Sequence, residues 1–368
     1  MIEIFPASWY STIYLSLSVF LTLIYYSQLK RERELSYNIN RPWGLMLWYA
    51  LLFVVVVGLR PLSGRYFGDT GNYARLYNVM SGAPLGDLMD DREWIFNGFM
   101  WYCAQIMPVQ YFFLIIEILY VIPIVIASKR LAPNYPDVML LFNMTAFSFF
   151  SYGTNGIRNG MACSLIILAL SFMNDKTSRG KIIAMILAYV AYGCHKSTAL
   201  PILCMFVCLF FKNTKYAISF WVFSILISLV AGGVVESFFT GLGFDDRMSG
   251  YGSANIDASA FSHTGFRWDF LLYSAMPIWL GWYIVYKRKI KDDMYSYLLN
   301  SYILCNSFWV MMIRASYSNR FAYLSWFLYP IVLSYPLLKF PVFKKNNSHK
   351  VALILLAHTA FTILMSFK

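Results

Sequence analysis

The chain has 368 residues, of which 59% are hydrophobic and only 13% charged, with a formal net charge of +12. Soluble globules carry about a quarter charged residues, so this composition excludes one. The positive surplus lies in short loops between apolar runs, which excludes a continuous basic face for nucleic acid.

In chain order the apolar runs predict about twelve spans, at 8–28, 43–59, 110–128, 137–152, 158–173, 180–195, 197–211, 216–235, 267–286, 294–313, 321–338 and 350–366. Each is close to the ~20 residues that cross a bilayer, or a little shorter. The first follows no basic stretch and contains no small-residue cleavage site, so it is expected to be a retained helix. Segment 94–107 (WIFNGFMWYCAQIM) stands apart. Counted as a crossing it would invert every later loop, so it is expected to be a re-entrant or interfacial helix broken near Pro108. The expected fold is an all-α polytopic membrane protein of about 12 transmembrane helices, with residues 1–368 as a single integral domain. Two long loops, about 60–93 and 237–266, interrupt it.

Basic residues sort by side. Alternate loops beginning at Lys30–Arg41 hold 13 Lys and 6 Arg, and the opposite loops hold 9 Arg and 1 Lys, with Lys368 left at the tail. Lysine-rich loops mark the cytoplasmic face. Both termini and both long loops then fall outside, where topology does not require nine arginines. A planar, permanently charged guanidinium that grips phosphate through two parallel hydrogen bonds supplies a reason.

Several chemistries lack their motifs. No GxxxxGK[ST] and no GxGxxG in a strand-to-helix setting is present, nor any HExxH. His195, His263, His349 and His358 are scattered, and the pairs Asp90-Asp91 and Asp245-Asp246 are adjacent residues that point apart, so no metal or other cofactor is expected. The six cysteines all lie in apolar stretches and read as packing residues.

What remains is arginine, histidine and carboxylate at helix mouths on the lysine-poor side. Arg158 follows Gly156 and opens a helix, where free backbone N–H groups already attract anions. Arg314 and Arg320 flank one turn, with Ser316, Tyr317, Ser318 and Asn319 between them offering groups suited to sugar. Arg60 and Arg65 are further candidates for phosphate. His195 ends a span before Lys196-Ser197-Thr198, and histidine is the side chain whose ordinary range lies near neutrality, which makes His195 the candidate general base. Asp69, beside Arg65 and Tyr73 in RYFGDTGNY, is the rival; alternatively it pairs with Arg65 or Arg75. Glu117 lies inside a span, as a structural residue or a proton relay. Trp94, Tyr66, Tyr73, Tyr251 and Trp268 suit either sugar stacking or a membrane-interface belt, and the belt is favoured.

The segments GLRPLSGRYFGDTGNYARLY, GIRNGMACSLIILAL, CHKSTALPI and NRFAYL, over roughly residues 58–325, together resemble the EpsG family of bacterial polysaccharide polymerases, akin to Wzy O-antigen and capsule polymerases. Its recurrent arginine and histidine fall on Arg158 and His195, and its early acidic loop position on Asp69. Asn159 stands where the family has glutamine, and Thr198 where it has alanine. The resemblance implies a GT-C-type glycosyltransferase in the bacterial inner membrane, with its active site facing the periplasm. The implied substrates are undecaprenyl-diphosphate-linked oligosaccharides. A growing glycan would pass to the non-reducing end of a new repeat unit, with His195 as base and Asp69 as its orienting partner or substitute. A chain-length regulator and a flippase would be partners alongside membrane lipid.

Other readings are an O-antigen ligase, which would normally carry a larger periplasmic domain, a flippase or transporter, and a non-catalytic assembly partner. A transporter needs a polar track, and the spans offer only Glu117, Asn143, Asn300 and Asn306.

Overall fold

The computed structural model describes residues 3–32, 34–35, 41–84, 93–175, 177–241, 265–314 and 318–366. Among these, every regular element is a helix. The chain falls into two units, Met1–Thr198 with Ser334–Lys368, and Ala199–Leu333. Nothing in the composition marks that division.

The first unit contains α1 (Tyr10–Arg31), α2 (Gly44–Gly58), α3 (Gly64–Phe67), α4 (Thr70–Met80), α5 (Trp94–Ile106), α6 (Val109–Leu131), α7 (Pro136–Met144), α8 (Phe149–Thr154), α9 (Ile157–Met173) and α10 (Ser178–Cys194). Helix α9 packs between α6 and α10, and α2 packs on α6. Helix ends separate by charge. Arg130 in the last turn of α6 meets Asp175 after α9, its Nη2 lying 2.8 Å from both carboxylate oxygens. Arg41 before α2 joins Glu32 after α1 and Asp137 in the first turn of α7. Arg60, Arg158 and His195 lie at the opposite ends of their helices.

The span expected at 137–152 is instead two helices, α7 and α8, broken at 145–148. A buried helix end in apolar surroundings must find donors for its last carbonyls. Neighbouring helices supply them. Tyr14 Oη donates to Met144 O at 2.7 Å, His358 Nε2 to Phe142 O at 2.9 Å and Thr362 Oγ1 to Thr145 O at 2.7 Å. The last two come from α17 (Asn347–Ser366), which packs along α1.

Segment 94–106 forms α5, whose 13 residues span about 20 Å at 1.5 Å each. That is short of a hydrocarbon core of about 30 Å. It lies beside α4, with Tyr77 Oη donating to Met107 O at 2.7 Å and Gln105 Nε2 to Met80 O at 2.8 Å. The expected helix is therefore present and does not have the length of a crossing.

In the second unit, α14 (Asp293–Met311) is buried along most of its length against α11 (Ala199–Phe210), α12 (Thr214–Gly241), α13 (Trp268–Trp282) and α15 (Ser318–Trp326). Polar groups join these helices. Trp221 Nε1 donates to Asn306 Oδ1 at 2.8 Å, and Asn306 Nδ2 donates to Ser325 Oγ at 3.0 Å. Trp326 Nε1 and Tyr302 Oη both donate to Ser274, each at 2.8 Å. Helix α16 (Tyr329–Lys339) runs from this unit into the first.

Among the described residues, five helical stretches are long and apolar enough to cross a membrane: Ala7–Arg31, Val109–Leu131, Thr214–Val235, Phe321–Lys339 and Asn347–Ser366. Gly44–Gly58, Ile157–Met173 and Lys196–Phe210 are shorter and apolar. The chain is thus a helical membrane protein. The expected count of twelve crossings is not carried by helix length, because several of the helices fall short of a bilayer's thickness.

Arg60 lies fully buried where α2 ends. Its Nη1 donates to Val57 O at 2.7 Å and to Glu117 Oε1 at 3.3 Å, and Nη2 donates to Thr154 O at 3.1 Å. Removing one partner of such a pair strands a buried charge and costs about 3–5 kcal/mol, whereas apolar replacement of both is often tolerated. Glu117→Leu is therefore expected to lose stability on that scale, and Arg60→Met with Glu117→Leu to recover most of it. Unfolding of the micelle-bound protein by sodium dodecyl sulfate measures both. Equal losses in the single and double variants would dismiss the pair as the cause.

Candidate active site

Four elements of the first unit bring a cluster together. Tyr73 stands on α4, Glu93 caps the start of α5, Arg158 sits in the first turn of α9, and His195 ends α10. One Glu93 oxygen, Oε1, meets His195 Nδ1, and the other, Oε2, accepts from Arg158 Nη1. Arg158 Nε donates to Tyr73 Oη at 3.0 Å, and the guanidinium lies 5.4 Å from the Tyr73 ring and 5.7 Å from the Phe96 ring. Burial pushes the Tyr73 phenol up while Arg158 pulls it down, and the net shift is upward, so Tyr73 keeps its proton.

Local geometry explains the placement. His195 is the C-cap of α10, with an extended backbone at φ −154° and ψ 114°. Its N–H donates to Ala191 O at 2.9 Å, and its carbonyl accepts from Thr198 N at 3.1 Å and Thr198 Oγ1 at 2.7 Å. Gly193 brings α5 close: a Cβ there would overlap the end of the Ile95 side chain, two residues from Glu93. Between α3 and α4, Gly68 has φ +54°, and a Cβ would overlap Asn155. Asn155 Oδ1 accepts from Asp69 N at 2.9 Å, which ties the start of α4 to the turn before α9.

The sequence-expected residues divide. Arg158, His195 and Tyr73 are brought together. Asp69 precedes α4 and makes no bond within the cluster: it accepts from Asn72 Nδ2 at 3.3 Å, is paired with neither Arg65 nor Arg75, and acts on Tyr73 and Arg158 only through its charge. The partner of His195 is Glu93 where Asp69 was expected, because the α5 start lies against the α10 end. Arg60 also departs from expectation, since its guanidinium is enclosed by Glu117, Phe67 and Phe113 and presents no surface to a ligand. Arg65 is exposed, with its guanidinium 5.5 Å from the Tyr66 ring.

Arg314 belongs to the second unit, where it is exposed. Its stem passes the kink at Ala231–Gly232 of α12, and its guanidinium lies 5.8 Å from the Phe266 ring. Asn319 and Arg320 fall in the first turn of α15, with side chains outside the described residues, as are Tyr251 and most of the loop at 237–266. Trp94 and Tyr189, both exposed, stand 6.0 Å apart beside Glu93. Among the described residues, no three His, Cys, Asp or Glu side chains converge as a metal site.

A model of the EpsG family matches residues 45–368. The chain belongs to the EpsG family. Comparison with curated proteins and with solved structures gives no match. EpsG membership puts the chain in the class of polysaccharide-biosynthesis polymerases of glycosyltransferase type, and the helical membrane architecture accords with it. The matched range takes in all four members of the cluster.

Sequence reading passed over Glu93. It closes the run DLMDDREW, in which Asp87, Asp90 and Asp91 compete as counter-charges for Arg158. The usable signal was its position directly before an aromatic-rich short helix.

Gly193→Ala is expected to push Ile95 and α5 away, with the 1–3 kcal/mol cost of overpacking, and to weaken turnover. Ile95→Ala in the same chain makes room and should restore both. Thermal unfolding and glycan synthesis measured together decide this. A Gly193→Ala protein as active as wild type would show that the α5–α10 approach is not required.

Proposed function

We propose that this chain polymerises lipid-linked oligosaccharide repeat units at the outer face of the bacterial inner membrane. The reading is carried by one observation: a half-shielded carboxylate joins a fixed arginine to a histidine at the mouths of helices in a family of polysaccharide polymerases. The donor is a growing glycan on undecaprenyl diphosphate, and the acceptor is one repeat unit on its own undecaprenyl diphosphate. A hydroxyl at the acceptor's non-reducing end attacks the donor's anomeric carbon, and the lipid diphosphate leaves.

Diphosphate is already a good leaving group, so the protein's tasks are to hold its charge, align two lipids and accept one proton. Arg158 is suited to the first task. Its Nη1 and Nε are engaged within the protein, and among the described residues Nη2 has no partner. Arg314, Arg320 and Arg65 are further diphosphate ligands in this reading, while Arg60 is assigned to structure. His195 takes the acceptor proton. Tyr73 sets Arg158, and Asn319 with the aromatic pair Trp94–Tyr189 contacts sugar. Guanidinium groups supply the positive charge that a cation would otherwise provide, so the reaction is expected to be metal-independent. A chain-length regulator and a flippase are the partners in this scheme.

The polar side chains that a transporter would use inside the spans have local partners. Glu117 is locked to Arg60, and Asn143, Asn300 and Asn306 each bond to helix or loop groups beside them.

The test is polymerisation by purified protein with its cognate lipid-linked repeat unit in the presence of EDTA. A ladder of products is expected from wild type, with losses of 10²-fold or more in Arg158→Ala and His195→Ala, the scale of lost charge stabilisation and lost general base. Absence of a wild-type ladder, with the substrate confirmed, would reject the reading. A ladder surviving His195→Ala would move the base role to Asp69.

A further inference from the structure

We propose that Glu93 is a positioning residue for the reaction: its carboxylate keeps the proton of His195 on Nδ1, so that Nε2 faces the substrate as the free base. This rests on the polymerase reading above and names a residue to which that reading gives no task.

His195 has no torsional slack in its main chain, because its N–H and carbonyl are both engaged, by Ala191 and by Thr198. Only the ring orientation and the tautomer are left to settle. A carboxylate accepts and never donates, so Nδ1 facing Glu93 Oε1 must carry hydrogen. A neutral imidazole then has its lone pair on Nε2.

Arg158 fixes the carboxylate in turn. Oε2 accepts from Nη1, so the two oxygens are pinned in different directions and the group cannot swing away from the ring. Tyr73 Oη takes Arg158 Nε, which completes a chain of four side chains from four helices.

Exposure follows the order these tasks require. The His195 side chain is 25% exposed and Arg158 19%, while Glu93 between them is 13% exposed. The groups that meet substrate are the more open ones, and the group that orients them is the most enclosed.

The step balances as follows. The acceptor O–H bond breaks and its proton goes to Nε2. The oxygen pair forms the new glycosidic bond to the anomeric carbon, and the anomeric C–O bond breaks with its electrons leaving on the diphosphate. The imidazolium formed lies against the Glu93 anion, while Arg158 Nη2 faces the diphosphate charge. Glu93 thus stabilises the charge that appears on His195 during reaction, without touching substrate.

The experiment uses the full chain in lipid nanodiscs with ¹⁵N-labelled histidine, and His195 signals are assigned by their loss in His195→Gln. Long-range ¹H–¹⁵N imidazole spectra are recorded for wild type, Glu93→Asp and Glu93→Ala. Single-turnover polymerisation rates and undecaprenyl diphosphate affinity are measured on the same samples. Wild type should show hydrogen on Nδ1 and a bare Nε2. Glu93→Ala should lose that preference and about 10²–10³-fold in rate, with affinity changed less than threefold. Glu93→Asp should lie between, and added formate should restore part of the Glu93→Ala rate. An unaltered His195 spectrum in Glu93→Ala, or a rate within threefold of wild type, overturns the proposal. So does tighter diphosphate binding with retained rate, which would make Glu93 a competitor for Arg158. A wild type that forms no ladder overturns the polymerase reading, whereas the hold of Glu93 on His195 stands or falls on the spectrum alone.

Discussion

A charge buried in an apolar bundle cannot be abandoned by its partner, and the Arg60–Glu117 pair imposes that constraint on the first unit. Arg60 leaves α2 and Glu117 projects from the third turn of α6, so the pair fixes how the two helices cross. Arg60 Nη1 and Nη2 also reach Val57 O and Thr154 O, which satisfies carbonyls where α2 and α8 end. Thr154 O accepts a second bond, from Thr70 Oγ1 at 3.1 Å. One guanidinium therefore sets α2, α6, the end of α8 and the start of α4 in register. Pairs of this kind are poor sources of net stability, since desolvation offsets the attraction, and they act by making alternative packings costly. Here the packing so specified is the floor on which Tyr73 and Arg158 stand.

The same scarcity of water governs the broken helix. The carbonyls at the end of α7 would be unsatisfied in an apolar interior, and Tyr14, His358 and Thr362 donate to them from two other helices. Polar side chains inside these helices thus have local structural uses. Asn306 holds Trp221 to Ser325, and Ser274 receives donors from Trp326 and Tyr302. A polar residue within an apolar run is evidence of a transport path only when the neighbouring helices leave it unused.

Much of the helical order was legible because an apolar run bounded by charge has few other fates in a chain this hydrophobic. The helices at 10–31, 109–131 and 157–173 lie within a few residues of their expected spans. The break between α7 and α8 was not legible, since it contains no glycine or proline, only the small polar residues Thr145 and Ser148 among aromatics, and the donors that satisfy it lie in α1 and α17. Apolar runs alone do not carry the number of crossings, for a related reason: apolarity reports burial in lipid and burial in protein alike. In the candidate site, Arg158 and His195 could be chosen from position at helix ends. Their common partner could not, because four acids lie within seven residues and only the packing of α5 on α10 selects Glu93.

Arginine's dominance on the lysine-poor side now has two physical sources. Arg60 reaches three acceptors on α2, α6 and α8 through two nitrogens, and Arg158 reaches two through Nε and Nη1. A lysine ammonium, a compact point charge, matches neither fork, and buried it would tend to lose its proton. Some of the bias is therefore a demand of the fold and carries no information about ligand. What separates the two arginines is the environment of the remaining donors. Those of Arg60 are sealed beneath Phe67 and Phe113, whereas Arg158 keeps Nη2 beside a histidine that is partly open to solvent. An arginine at a helix mouth becomes a candidate for substrate when its neighbours fix its plane and leave one edge uncovered, and in the first unit Arg158 meets both conditions.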